Sequence, residues 1–172
     1  MRSTQLITGA MAVVATTALT GFGGAAQADE PTTTHERGIV IECTGTIDGR
    51  AVYASLYENR TFGNEIQVLV GDDNHQVGGS RQDPDGFLRK GRVRGTMTVG
   101  GDRAVVKGTA HRVGDRIPVS EEYDDAGQHI TTTGVHRSLD TGLRLVWRGD
   151  TAPLQCDTAF AYRLKVVKES TV

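Results

Sequence analysis

Gly38-Ile-Val-Ile-Glu-Cys43-Thr-Gly-Thr-Ile47, then Asp48-Gly49, then Arg50-Ala-Val-Tyr-Ala-Ser-Leu-Tyr57 is the stretch that decides the fold. Two alternating runs flank a dipeptide that strongly marks a tight hairpin, because both turn positions need positive φ. With that loop, Ile47 faces Arg50, Gly45 faces Val52, Cys43 faces Ala54 and Ile41 faces Leu56. One face then gathers Ile39, Ile41, Cys43, Val52, Ala54 and Leu56, and the other is mixed and mostly polar.

The same period of two recurs to the end of the chain. Ile66, Val68 and Val70 alternate with Glu65, Gln67 and Leu69 in a third strand. Gly71 to Gly86, dense in Gly, Asp and Asn, is expected as a long loop with at most a short edge strand around His75–Val77. Arg92–Arg112 reads as a hairpin around Gly100-Gly101-Asp102, with Val93, Met97, Val99, Ala104, Val106 and Ala110 inside. Ile117–Tyr123 and Gln128–His136 form another, turned by Asp124–Gly127. A turn at Asp140-Thr-Gly142 is expected before Leu143–Arg148, and a last turn at Gly149-Asp150 before Thr151–Val167. Counting by twos through that last strand puts Trp147, Cys156, Phe160 and Tyr162 inward. A bulge or bend is expected at Asp157-Thr158, because one unbroken strand would be unusually long.

No helical spacing is sustained beyond the N-terminal stretch. Some eight or nine short strands joined by turns predict an all-β, antiparallel, up-and-down barrel-like meander. A two-sheet β-sandwich is the alternative. In the barrel the first and last strands are neighbours, which brings Cys43 towards Cys156.

The chain begins with Met1-Arg2, a weakly apolar run from Leu6 to Leu19 and Ala26-Gln27-Ala28. That is the form of a secretory signal peptide over residues 1–28, cleaved after Ala28. Its Thr-interrupted apolar run falls short of the ~20 residues of a membrane span. Residues 29–37 read as a flexible leader, 38–168 as one β domain and 169–172 as a tail. A secreted, extracellular chain without a membrane anchor is expected. Its two cysteines then meet an oxidising compartment, and a Cys43–Cys156 disulfide is preferred over two buried thiols. The formal charge of −2 implies no attraction to nucleic acid.

Chemical motifs are sparse. His35, His75, His111, His129 and His136 show no chelating spacing, so no metal site is assigned. No Gly-x-Ser-x-Gly occurs, and no catalytic residue or cofactor is assigned. Asp72, Asp73, Asp83 and Asp85, like Glu121, Glu122, Asp124 and Asp125, are oxygen-rich enough for calcium but lack ordered ligand spacing and suit plain turns. Asn59-Arg-Thr61 spells a glycosylation sequon and Arg148-Gly-Asp150 an adhesion tripeptide; both read as polar turns. Arg89–Arg94, with Arg103 and Lys107, could form a basic stripe, but without interleaved aromatics it reads as a solvated face.

Gly38-Ile-Val-Ile-Glu-Cys-Thr-Gly45, Glu121-Glu-Tyr-Asp-Asp-Ala-Gly-Gln-His129 and Cys156-Asp-Thr-Ala-Phe-Ala-Tyr162 together resemble small secreted proteins of high-GC Gram-positive, actinobacterial type. The resemblance spans nearly the whole chain after the leader; it implies secretion and transfers no catalytic residue. The expected function is a monomeric binding module, with Trp147 and Tyr162 lining a barrel mouth that takes a small molecule. Two alternatives stand beside it. One is a module that inhibits or binds an extracellular protein through the 71–86 loop; the other is a hydrolase assembled from distant strands.

Overall fold

The computed structural model describes residues 30–72 and 74–171; the expected signal peptide lies outside them. The domain is an all-β antiparallel sheet. Its opening hairpin joins β1 (Thr32–Ile47) to β2 (Arg50–Asn59) through Asp48 and Gly49, at φ 48° and 69°. The register is the expected one, with Cys43 opposite Ala54 and Ile41 opposite Leu56. All six residues of the apolar face are buried. There follow β3 (Gly63–Val70), β4 (Val77–Gln82), the two-residue β5 (Leu88–Arg89), β6 (Arg92–Val99), β7 (Asp102–Arg112), β8 (Ile117–Asp125), β9 (Gln128–Trp147) and β10 (Asp150–Ser170).

Hydrogen-bonded neighbours run β4-β3-β2-β1-β10-β9-β7-β6-β5, with β8 branching from β9. The first and last strands pair, and the Cys43–Cys156 disulfide joins them across 113 positions of sequence. The sheet curls until β4 lies against β6, giving the barrel-like meander. Glycine permits that closure: a Cβ at Gly79 would stand 1.9 Å from the Thr98 carbonyl oxygen. Arg81 of β4 then donates to the Thr96 carbonyl across the same seam at 2.8 Å. Ile41, Leu56, Ile66, Val68, Leu145 and their neighbours fill the interior. Phe87, almost fully buried, plugs the end away from the Asp48-Gly49 turn.

Four local expectations are corrected. Within 71–86, six residues form the edge strand β4, because β3 would otherwise leave its backbone groups unpaired. Asp140-Thr-Gly142 is no turn. It lies inside β9, where Asp140 pairs with His111 and Gly142 with Thr109 of β7, so ladder pairing overrides the local turn preference. Residues 32–37 and 169–170 belong to β1 and β10 rather than to a leader and a tail, being held by Thr32–Lys168 and Glu169–His129 pairing.

The fourth correction concerns the face. β10 changes register by one residue between Leu154 and Phe160. A one-residue shift sends every later side chain to the opposite face. Ala161 therefore pairs with Ile39 on the inner face, while Phe160 and Tyr162 point outward. Below the barrel, the ends of β1, β10 and β9 continue with β8 as a four-stranded extension.

Candidate functional site

The structure separates Trp147 from Tyr162. Trp147 lies in the core, where its indole N–H donates to the Val99 carbonyl at 3.1 Å. The Arg148 guanidinium stacks over the ring at 4.4 Å and also bonds Asp102. Both halves of that arginine are thus engaged in structure. Tyr162 lies on the outer face and donates to the Glu58 carbonyl at 3.3 Å. Burial, then the Tyr57 hydroxyl, pushes its phenol pKa far up, so it stays a donor. The two aromatics do not line one pocket.

Beside Tyr162, Asn59 is fully buried. Its amide donates to Glu36 and Tyr57 at 2.9 and 2.8 Å, and its carbonyl accepts from the backbone of Thr61 and Phe62. In the folded chain the sequon asparagine is therefore a turn cap. Asn59→Asp removes both donors and sets a second carboxylate against Glu36. It is expected to destabilise the fold by about 1–3 kcal/mol in urea unfolding. A change within ~0.5 kcal/mol, the range of an ordinary surface substitution, would contradict that role.

The notable chemistry lies at the plugged end. Extending the inner face of β1 back from Ile39 places Arg37 on it, and the register shift places Arg163 opposite. Arg60 donates its backbone N–H to the Arg37 carbonyl and continues the row past the end of β2. One rung inward, Arg137 pairs with Ala161; one further, Arg112 pairs with Leu139. Their alignment with Ile39, Ala161 and Leu139, all core residues, shows that these arginines surround the barrel mouth.

Two adjoining clefts of about 590 and 220 Å³ open there, and both are lined by Arg37 and Arg112. Arg60 borders the larger; Arg163, Arg137 and Arg116 border the smaller. The Arg37 pKa is held below the usual arginine range, chiefly by Arg60, then by Arg163, burial and Arg112. Like charges set directly opposite each other in a sheet cost stability.

Among the described residues, carboxylate ion pairs engage Arg81, Arg89, Arg148, His75 and His129, and none of the six mouth arginines. Two carboxylates do border the larger cleft. Glu58 accepts the backbone N–H groups of Phe87 and Leu88, the latter at 2.6 Å, and so anchors the plug. Asp85 pairs with Arg89 at 3.1 Å. Arg137 spends its Nε–H on the Gly114 carbonyl, which orients it.

The residues singled out from sequence lie elsewhere. Arg94 pairs with Lys107 on the outer face of the β6–β7 hairpin, the face opposite that of Arg112. Asp124 meets His129 at 2.8 Å and raises the imidazole pKa, first through that hydrogen bond. Among the described residues, no three His, Cys, Asp or Glu side chains converge as a metal site. Arg37 lies in the expected leader, and the count by twos that turns Phe160 and Tyr162 inward leaves Arg163 on the other face. The available signal was Glu36-Arg37-Gly38, which continues the alternation of β1 backwards. Comparison with family models, curated proteins and solved structures returned no match.

Proposed function

We propose that this is a secreted binding module that captures an anionic small molecule at its arginine-lined mouth. The observation carrying the reading is the row Arg60–Arg37–Arg163 at the ends of adjoining strands, which forms no carboxylate ion pair among the described residues. Guanidinium groups stay protonated at neutral pH and present planar donor forks to oxyanions. Such a row suits holding charge rather than moving a proton, which favours a binder over a hydrolase. Its repulsion is a cost to the empty protein that a bound anion removes. The filled barrel interior supports the arginine-lined end, rather than a mouth lined by Trp147 and Tyr162, as the place of capture. The disulfide is compatible with an extracellular setting.

This reading predicts effects of opposite sign from one substitution. Arg163→Ala relieves repulsion on Arg37, so the ligand-free protein is expected to be unchanged or up to ~1 kcal/mol more stable. The same change removes charge-assisted hydrogen bonds to the anion, and is expected to weaken binding about tenfold to a hundredfold. Isothermal titration with pyrophosphate at low ionic strength measures the second effect, and urea unfolding the first. Failure of the unsubstituted protein to bind pyrophosphate, or equal affinity in the variant, would overturn the proposal.

A further inference from the structure

The cationic surface does not end at the mouth. On the inner face of the extension, the Arg37–Arg163 pair is followed two residues on by His35 opposite Lys165. Alternate residues of a strand lie ~6.8 Å apart, so the second pair stands one short step further along the same face. All four side chains are exposed.

The rest of that face limits what can lie on it. Between these two pairs and β8 stand Val135, Thr133 and Thr131, and beyond Lys165 comes Val167. The aromatic residues of this region, Phe160, Tyr162 and Tyr123, belong to the opposite face. A nucleobase would therefore find no Phe, Tyr or Trp ring to stack on, although such stacking is a main source of affinity for single strands. At the far tip the sign of the charge reverses. Glu122 and Asp124 of β8 and Glu169 of β10 surround His129 there. The track carries positive charge as far as Lys165 and then closes against further negative charge.

Resting on the mouth reading above, we infer that the ligand is a short linear polyanion carrying closely spaced phosphate or sulfate groups. One end seats among Arg37, Arg60 and Arg112, and the following groups run past Arg163 to His35 and Lys165. The acidic tip sets the length that is read. Affinity rises with each added anionic group until the track is filled, and stops rising there.

The test is titration of the full domain with orthophosphate, pyrophosphate, tripolyphosphate and long-chain polyphosphate, at fixed ionic strength and with long-chain material counted per chain end. A heparin-derived tetrasaccharide and a ten-nucleotide single-stranded DNA serve as the sulfated and nucleic-acid arms. Tripolyphosphate is expected to bind at least about tenfold more tightly than orthophosphate, with little gain for the long chain. His35→Ala with Lys165→Ala is expected to erase the difference between tripolyphosphate and pyrophosphate. Tighter binding of the tetrasaccharide than of tripolyphosphate would assign the track to sulfated chains, and the reverse to phosphate. Pyrophosphate binding without any gain on lengthening would overturn the track alone, as would preference for the DNA. Absence of binding by every phosphate would instead remove the mouth reading on which the track rests.

Discussion

Opening the Cys43–Cys156 disulfide, by reduction or in the C43A/C156A variant, is expected to lower the unfolding midpoint by roughly 10–15 °C. The bond spans 113 positions. On the chain-entropy model, closing a loop of that size contributes about 4–5 kcal/mol, against a total of ~5–15 kcal/mol for a typical domain. Its place in the ladder adds a second reason. The β1–β10 pairing skips between Glu42–Thr158 and Thr44–Gln155, so the covalent bond holds the strands together where the regular hydrogen-bond pattern is interrupted. That interruption decides which face Arg163 occupies. Loss of the bond should therefore also weaken anion capture under conditions where the protein remains folded. Thermal unfolding with and without reductant, followed by pyrophosphate titration below the midpoint, checks both parts. A midpoint shift of less than about 3 °C, equivalent to under ~1 kcal/mol at this chain size, would show that the seam does not depend on the bond.

Trp147→Ala is expected to be of similar size, about 3–5 kcal/mol. The ring is buried and packs into the cluster that includes Leu145 and Val99. Its removal leaves a large void and deprives the Val99 carbonyl of its donor. It also takes away the surface on which Arg148 stacks. Tyr162→Phe is the natural contrast, because it deletes one hydroxyl bonded to the Glu58 carbonyl on the outer face and costs only ~1 kcal/mol. Urea unfolding midpoints with unchanged slope measure the two. Comparable losses in both variants would contradict the separation of these aromatics into core and outer face.

The parts of the fold legible in the sequence are those governed by short range. Asp48-Gly49 and Gly100-Gly101 form tight turns with positive φ at each position, and the faces they imply are the faces observed. The β9–β10 turn lies at Arg148-Gly149, one residue earlier than expected, which changes the pairing partners, yet Leu143, Leu145 and Trp147 still share a face with Ala152 and Leu154. Such a displacement keeps parity, so the inward set survives it. A bulge does not keep parity. The break in β10 was expected near Asp157, but its consequence for Phe160, Tyr162 and Arg163 depends on how β1 pairs past it. Pairing also made a strand of Val77–Gln82 and absorbed Asp140-Thr-Gly142 into β9, because an unpaired backbone edge outweighs local turn preference.

The arginine mouth was illegible for the same reason. Its members come from β1, the end of β2, β7, the β7–β8 connection, β9 and β10, and apart from Arg112 and Arg116 they are far apart in sequence. The basic run Arg89–Arg94 is instead a hairpin whose charged side chains serve solvent and Asp85, while Val93 joins the core. Composition concealed the mouth as well. A net charge of −2 averages an arginine-rich end against an acidic tip on the same sheet.

The most direct test is to observe the arginine side chains themselves. Two-dimensional nitrogen–proton spectra of the labelled domain, recorded during titration with pyrophosphate, resolve arginine Nε–H groups and the single tryptophan indole. Saturable shifts are expected at Arg37, Arg60, Arg112 and Arg163, with the Trp147 indole still. Shifts at Trp147 with the mouth arginines unmoved would place capture in the barrel interior and contradict the account.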